Sequence, residues 1–333
     1  MTENMHETHT RLDTKSDAER RPEAVDPAEV IERWPAEEPM AALVSAPDGS
    51  PWARWSVFGV VDGWLMVHES GLTYRRRGGR GSESGFRSAA RGGDLLRAMR
   101  AAMERVVRED GPSRTVPPGL QCTGSPFGPG WIGGISYEMG RAIEPAAMGE
   151  RRPVRDRPWP LAVFARVRSL IVHDARTGAW RTTDSRAADA FDRIARKNRA
   201  NELDSPSIGE IEPGRSRPSH MAAVQAAREH IARGDIFQAN ITLRLSAAFR
   251  GSARHFAACS MRTARPRYGA CIELPGGGTV ISLSPELFLQ IDGLGGTVLT
   301  RPIKGTRPAT ENPATLAQSE KDAAELAMIV DLM

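Results

Sequence analysis

The chain has 333 residues, of which 40% are hydrophobic and 6% aromatic, and carries a formal net charge of +4. That length allows two domains or one large one with a substantial core. No stretch approaches the ~20 consecutive apolar residues of a membrane span, and the polar start lacks the apolar core of a secretion signal. The three cysteines, Cys122, Cys259 and Cys271, lack metal-ligand spacing and read as thiols of a reducing, cytoplasmic setting.

Residues 1–37 are charged and poor in apolar side chains, the composition of a disordered tail. From Ala41 a folded pattern begins: AALVSA and then WARWSVFGVVDGWLMVHES read as strands punctuated by Gly and Asp. GLTYRRRGGRGSESG reads as a basic, glycine-rich loop. It has no neighbouring aromatic platform for single-stranded nucleic acid, so no such partner is expected. Asp94 is expected to cap a helix whose apolar face carries Leu95, Leu96, Met99, Met103, Val106 and Val107. Strand character returns around Trp131–Tyr137 and over residues 160–172, and a helix is expected near Ala187–Arg196. The glycines of GPGWIGGISYEMGR are not followed by GK[ST], which favours close backbone packing over a phosphate loop.

The Pro/Gly-bearing run DSPSIGEIEPGRSRP suggests a linker over 201–217, separating a region 38–200 from a region 218–333. In the second region, Ser219 is expected to cap a helix with Met221, Val224, Ala227 and Ile231 facing inward, stopped by Gly234. From Gln238 the pattern alternates: Ala239, Ile241, Leu243 and Leu245 on one face, Gln238, Asn240, Thr242 and Arg244 on the other. Strands are expected at Tyr268–Leu274, Thr279–Ser284, Leu287–Ile291 and Thr297–Thr300, a loop over Arg301–Thr310, and a last helix from about Ala314 to Met333.

Several residues in this second region carry chemistry. Only four of the 45 basic residues are lysine, and an amine, unlike a guanidinium, can serve as a nucleophile. Lys304 stands in Arg301-Pro302-Ile303-Lys304-Gly305-Thr306, between a proline that fixes the backbone and a glycine that admits close approach. Burial there would free the amine for attack; a surface-loop lysine is the bland alternative. Glu286, after Ser284-Pro285, is a general acid or a simple turn residue. Asp322 and Glu325 are three apart on one helix face, a spacing that suits either a hard cation such as Mg2+ or plain solvation.

The segments GDIFQANITLRL, SLSPELFL, RPIKGTRP and SEKDAAELAMIVDL together resemble the chorismate-utilising enzyme family, in that family's order. Upstream, ALVSAP, RWSVFG and GWIGGISYEMGRAIE resemble its amino-terminal region. The resemblance implies an α+β fold of two packed antiparallel β-sheets with outer helices, incomplete here, since the family continues into Arg-Asn-Asp after the last helix. The region 218–333 would then be the first part of the chorismate-binding domain, and the isolated polypeptide is expected to be inactive and poorly soluble. Within the family, water-activating members carry lysine at the position of Gln238, and anthranilate synthase component I typically has alanine at that of Lys304. Glutamine and lysine together match the aminodeoxychorismate synthase component I branch. The resemblance implies Lys304 as covalent nucleophile, Glu286 as proton donor, and Gln238, Gly305 and Thr306 as substrate-binding. It also implies Asp322 and Glu325 as ligands of Mg2+, with ammonia supplied by a glutaminase subunit. The alternatives are anthranilate synthase component I and a non-catalytic short form that binds a glutaminase.

Overall fold

The structure is a computed structural model that describes residues 25–46, 52–77, 84–111, 127–148, 159–197, 205–291 and 296–333. Residues 1–24 of the expected tail, 78–83 of the basic loop, Cys122 and 201–204 of the expected linker lie outside them. Contacts divide the chain into two units. Unit 1 comprises Met1–Leu43, Arg54–Asn198 and Cys271–Val280; unit 2 comprises Val44–Ala53, Arg199–Ala270 and Ile281–Met333.

In unit 1 the order begins with α1 (Pro27–Arg33), β1 (Met40–Val44), β2 (Trp55–His68), β3 (Gly71–Arg76), β4 (Ser84–Ala89) and α2 (Asp94–Asp110). It continues through β5 (Gly130–Ile135), the short α3 (Gly140–Ile143), β6 (Ala162–Asp174), β7 (Ala179–Thr182) and α4 (Ser185–Arg196). The tail expected over 1–37 ends earlier than its composition suggested, because α1 is ordered. Asp26 accepts from Ala28 N and Glu29 N, the Glu29 side chain accepts from Asp26 N, and Pro27 fills the first helical turn. Val30, Ile31 and Trp34 are fully buried, which outweighs the polar residues around them.

The spine of the sheet is the antiparallel pair of β2 and β6, in register from Trp55↔Asp174 to Val67↔Ala162. One edge of β2 is taken by β6, so β1 and β3 share the other: β1 pairs with Val57–Val60, β3 with Gly63–His68. In the same way β5 pairs with Ala162–Val167 of β6 and β7 with Ile171–Asp174. The register of the spine shifts between Val60 and Gly63, where β2 passes from one outer partner to the next. The stretch read as a basic loop is, over Gly71–Arg76, strand β3, paired on both sides by β2 and β4.

Helix α2 follows the expected stripe except at Val107, which is exposed. Leu95, Ala102 and Val106 are buried with Leu65, Val67, Leu72 and Tyr74, and Leu96, Met99 and Met103 pack partly against them. Asp94 is not its cap: Gly93 holds that position and Asp94 pairs with Arg97 in the first turn. At the other end, the Asp110 carboxylate receives Arg76 Nη2 and Arg166 Nε, each at 2.9 Å, and Arg166 also donates to Gly130 O at 3.0 Å. One carboxylate with a 4% exposed side chain thus ties α2 to β3, β5 and β6.

In unit 2 the order is β8 (Ser207–Ile208), β9 (Glu212–Pro213), α5 (Arg217–Arg233), β10 (Leu245–Ser246), β11 (Phe249–Arg250) and α6 (Ala253–Ala264). Then come β12 (Tyr268–Glu273), β13 (Thr279–Ser284), β14 (Leu287–Ile291), β15 (Val298–Arg301), α7 (Pro313–Ala317) and α8 (Glu320–Leu332). The ends of β12 and β13 within Cys271–Val280 belong to unit 1. The expected α+β class with antiparallel sheets holds.

Four expectations for unit 2 change. The cap of α5 is Ser216, which accepts from Ser219 N, and Gly234 closes the helix in the left-handed conformation at φ 77°. No residue of α5 is buried among the described residues, so Met221, Val224 and Ile231 are exposed instead of facing inward. The alternating segment after Gln238 is irregular until Leu245, where β10 makes only a two-residue ribbon with β9. Alternation specifies a strand only where a neighbour accepts its backbone bonds, and none of the described strands lies alongside. The last helix is two helices, broken at Ser319.

Replacing Asp110 by Ala strands two arginines, one of them almost wholly buried. We expect a loss of about 3–5 kcal/mol, read as a lower denaturant midpoint of unit 1. An unchanged midpoint would show that the carboxylate carries no structural weight.

Candidate active site

Unit 2 brings Glu286, Lys304, Asp322 and Glu325 into one neighbourhood through a single turn of topology. β14 and β15 form an antiparallel ribbon with Leu287 opposite Arg301. That register sets the residue before β14, Glu286, beside the loop that leaves β15. Accordingly Ile303 N donates to Glu286 Oε1 at 3.2 Å. Ser284 Oγ holds the turn from the other side, accepting from Glu286 N at 3.4 Å and donating to Glu286 O at 3.2 Å. The root of the loop is fixed as well: the Arg301 guanidinium lies 5.4 Å from the Trp52 ring centroid and donates to the Tyr268 hydroxyl at 3.5 Å.

From this root the loop crosses α8. Lys304 Nζ meets Glu325 Oε1 at 2.9 Å, with both side chains about one-third exposed (30% and 32%). One turn along, Arg307 Nη2 meets Asp322 Oδ2 at 2.9 Å and Ser319 Oγ at 3.3 Å. Gly305 lies between them at φ 81°. A Cβ there would stand 2.6 Å from Leu316 Cδ1 and 3.1 Å from Asp322 Cγ, so both the backbone angle and the space require glycine.

Helix α8 starts where it does because Ser319 accepts from Asp322 N at 3.3 Å, a cap that interrupts the helix begun at Pro313. Ser319 lowers the Asp322 carboxyl most, through a side-chain hydrogen bond, and the Arg307 guanidinium adds to it, holding the group below the ordinary carboxylate range.

Of the residues singled out in the sequence, Glu286, Lys304, Gly305, Asp322 and Glu325 come together. Thr306 is in the same loop but exposed. Gln238 is exposed in the irregular segment after α5, and no hydrogen bond joins it to the others among the described residues. The two carboxylates, read as one pair, are divided between two cations. Lys304 is paired with Glu325 and about one-third exposed, not enclosed in an apolar pocket. Arg307 and Ser319 were not singled out. Their signals were present: Lys304 and Arg307 repeat the i, i+3 spacing of Asp322 and Glu325, and Ser319 followed by Asp322 is a capping pattern.

Comparison with protein families matches residues 84–333 to the chorismate binding enzymes. The chain belongs to this family. Anthranilate synthase component 1 of Streptomyces coelicolor is 31% identical over 271 residues, covering 72% of this chain and 50% of that protein. Aminodeoxychorismate synthase component 1 of Klebsiella aerogenes is 38% identical over 125 residues, covering 35% of this chain and 27% of that protein. The chain thus spans about half the length of the Streptomyces relative. A crystal structure of anthranilate synthase component I from Streptococcus pneumoniae shares the fold, with a TM-score of 0.63 at 21% identity over 95% of this chain and 68% of that one. No described helix of this family member is long and apolar enough to cross a membrane.

The Asp322 carboxyl should titrate below the ordinary value of about 3.9. The stability it contributes is then present above that value and lost as pH falls through the lower folded pKa. Arg307→Ala should move the midpoint upward in a carboxyl-carbon NMR titration; no movement would deny Arg307 this role.

Proposed function

We propose that this chain is the chorismate-handling part of an enzyme of the aminodeoxychorismate synthase component I type, with Lys304 as its covalent nucleophile. The observation that carries this reading is a lysine at the crossing of loop and helix, with Glu286 bonded to the neighbouring backbone. Lys304 and Gln238 together match the pattern of that branch. Aminodeoxychorismate synthases among the relatives support it at 38–39% identity, over about a third of this chain.

The residues divide the work as follows. Lys304 Nζ, as free amine, forms a bond to C2 of the chorismate ring while the C4–O bond breaks. Glu286 gives its proton to the departing oxygen, which leaves as water. Ammonia, supplied by a glutaminase subunit, then bonds to C4, the Lys304–C2 bond breaks, and 4-amino-4-deoxychorismate is released. Gly305 and Thr306 offer a backbone N–H and a hydroxyl to a substrate carboxylate, and Gln238 a neutral amide wall.

Asp322 and Glu325 are hard oxygen donors one turn apart on α8, and each already attracts a cation, so the donor set suits Mg2+. They would hold the ion, which supplies charge neutralisation at a chorismate carboxylate. Such chemistry belongs in the cytoplasm.

A second reading, anthranilate synthase component I, is favoured by the Streptomyces relative, which aligns with 72% of this chain. The two differ in product. The gene product carrying this sequence, given chorismate, ammonium and Mg2+, is expected to form 4-amino-4-deoxychorismate without pyruvate, and Lys304→Ala to lower the rate by at least about a hundredfold. Anthranilate with pyruvate would establish the second reading instead, and full turnover by Lys304→Ala would remove the lysine from the chemistry.

A further inference from the structure

The double ion pair between loop and α8 poses a problem for the reading just given, on which this inference rests. Both carboxylates assigned to the metal are occupied by the protein's own cations, Glu325 by Lys304 and Asp322 by Arg307, each at 2.9 Å. The Lys304–Glu325 contact engages at once the side chain assigned to the ring bond and a carboxylate assigned to the metal. One contact therefore ties the two functions of the site together.

We infer that Lys304 and Arg307 are built-in counter-ions that compete with a divalent cation for Glu325 and Asp322, so that metal binding and release of the Lys304 side chain are a single event. The matched spacing supports this. Lys304 and Arg307 are three residues apart on the loop, and Asp322 and Glu325 three apart on α8. The loop runs against the helix, so its first cation meets the second carboxylate and its second cation meets the first.

Distances make simultaneous occupancy unfavourable. Mg2+ takes carboxylate oxygens at roughly 2.0–2.1 Å, while Lys304 Nζ is 2.9 Å from Glu325 Oε1. An ammonium and a divalent ion on that one carboxylate would face each other across a few ångströms of half-exposed space and repel. Lys304 has room to leave, because its side chain is 30% exposed and on a loop. Arg307 is held more firmly, by Ser319 as well as Asp322. Lys304 is therefore the cation that yields first, and the chain keeps its nucleophile parked until the site is charged.

Competition is reciprocal: whatever factor the metal imposes on the Lys304–Glu325 contact, that contact imposes on the metal. Calorimetric titration of the gene product carrying this sequence with MgCl2 tests this without any turnover. Lys304→Gln is expected to bind Mg2+ at least about threefold more tightly than the unsubstituted chain, the scale of a half-exposed ion pair. Lys304→Arg, which keeps the cation, should remain near the unsubstituted value. A second readout is labelling by an amine-selective reagent followed by peptide mass mapping. Lys304 labelling should rise with Mg2+ in the unsubstituted chain, and in Glu325→Gln it should be high from the start and insensitive to Mg2+.

If the unsubstituted chain binds Mg2+ and Lys304→Gln binds it equally or more weakly, competition is overturned while the metal assignment stands. If neither binds up to millimolar concentration, or Glu325→Gln binds undiminished, the metal assignment falls and the inference with it.

Discussion

Everything proposed for this site depends on a short loop lying across a helix, held by Lys304 on Glu325 and Arg307 on Asp322. Partly exposed ion pairs of this kind contribute only about 0–1 kcal/mol each, so their importance is positional. They set one amine, one guanidinium and two carboxylates within a single turn of α8, and Gly305 alone can carry the backbone through that crossing. The β14–β15 register then places Glu286 against the same loop. Weak contacts suit a segment that must let go of its partners during a reaction cycle.

Unit 1 contrasts with this in its economy of polar groups. Its spine of β2 and β6 buries mostly apolar side chains, with Ser56, Arg166, Ser169 and Asp174 as the buried polar exceptions, and its charged links tie one element to another. Asp110 closes α2 onto the sheet, and Arg54 clamps Asp174 at the end of β6 through two bonds at 2.9 and 2.8 Å. The Asp174 carboxyl is held below its ordinary range chiefly by the hydrogen bond from Arg54. Unit 2 leaves far more apolar surface uncovered, including Phe237, Phe288 and Ile291 at 80%, 70% and 68% exposure.

Legibility in the sequence followed the range of the forces involved. Elements fixed by local chemistry were readable: the stripe of α2, the stop at Gly234, and the strands Thr279–Ser284 and Leu287–Ile291, whose bounds agree with β13 and β14. The Asp26–Glu29 capping box was equally local, but the charged residues around it masked α1. One segment that needs a distant neighbour was misread. The alternation after Gln238 satisfies the period of a strand, yet without a partner backbone it stays irregular. Five of the residues singled out lie in one neighbourhood of unit 2. Their pairing was not legible, because spacing along one helix cannot reveal that a loop opposite carries two cations at the same spacing.

In the proposed reaction Lys304 forms a bond to the substrate ring. This step is tested most directly by exposing the gene product to chorismate and Mg2+ without ammonia, quenching, and mapping peptide masses. One modified peptide is expected, containing Lys304 and heavier by chorismate less one water. Product formation on ammonia addition, with Lys304 never modified at any time before it, would contradict that expectation.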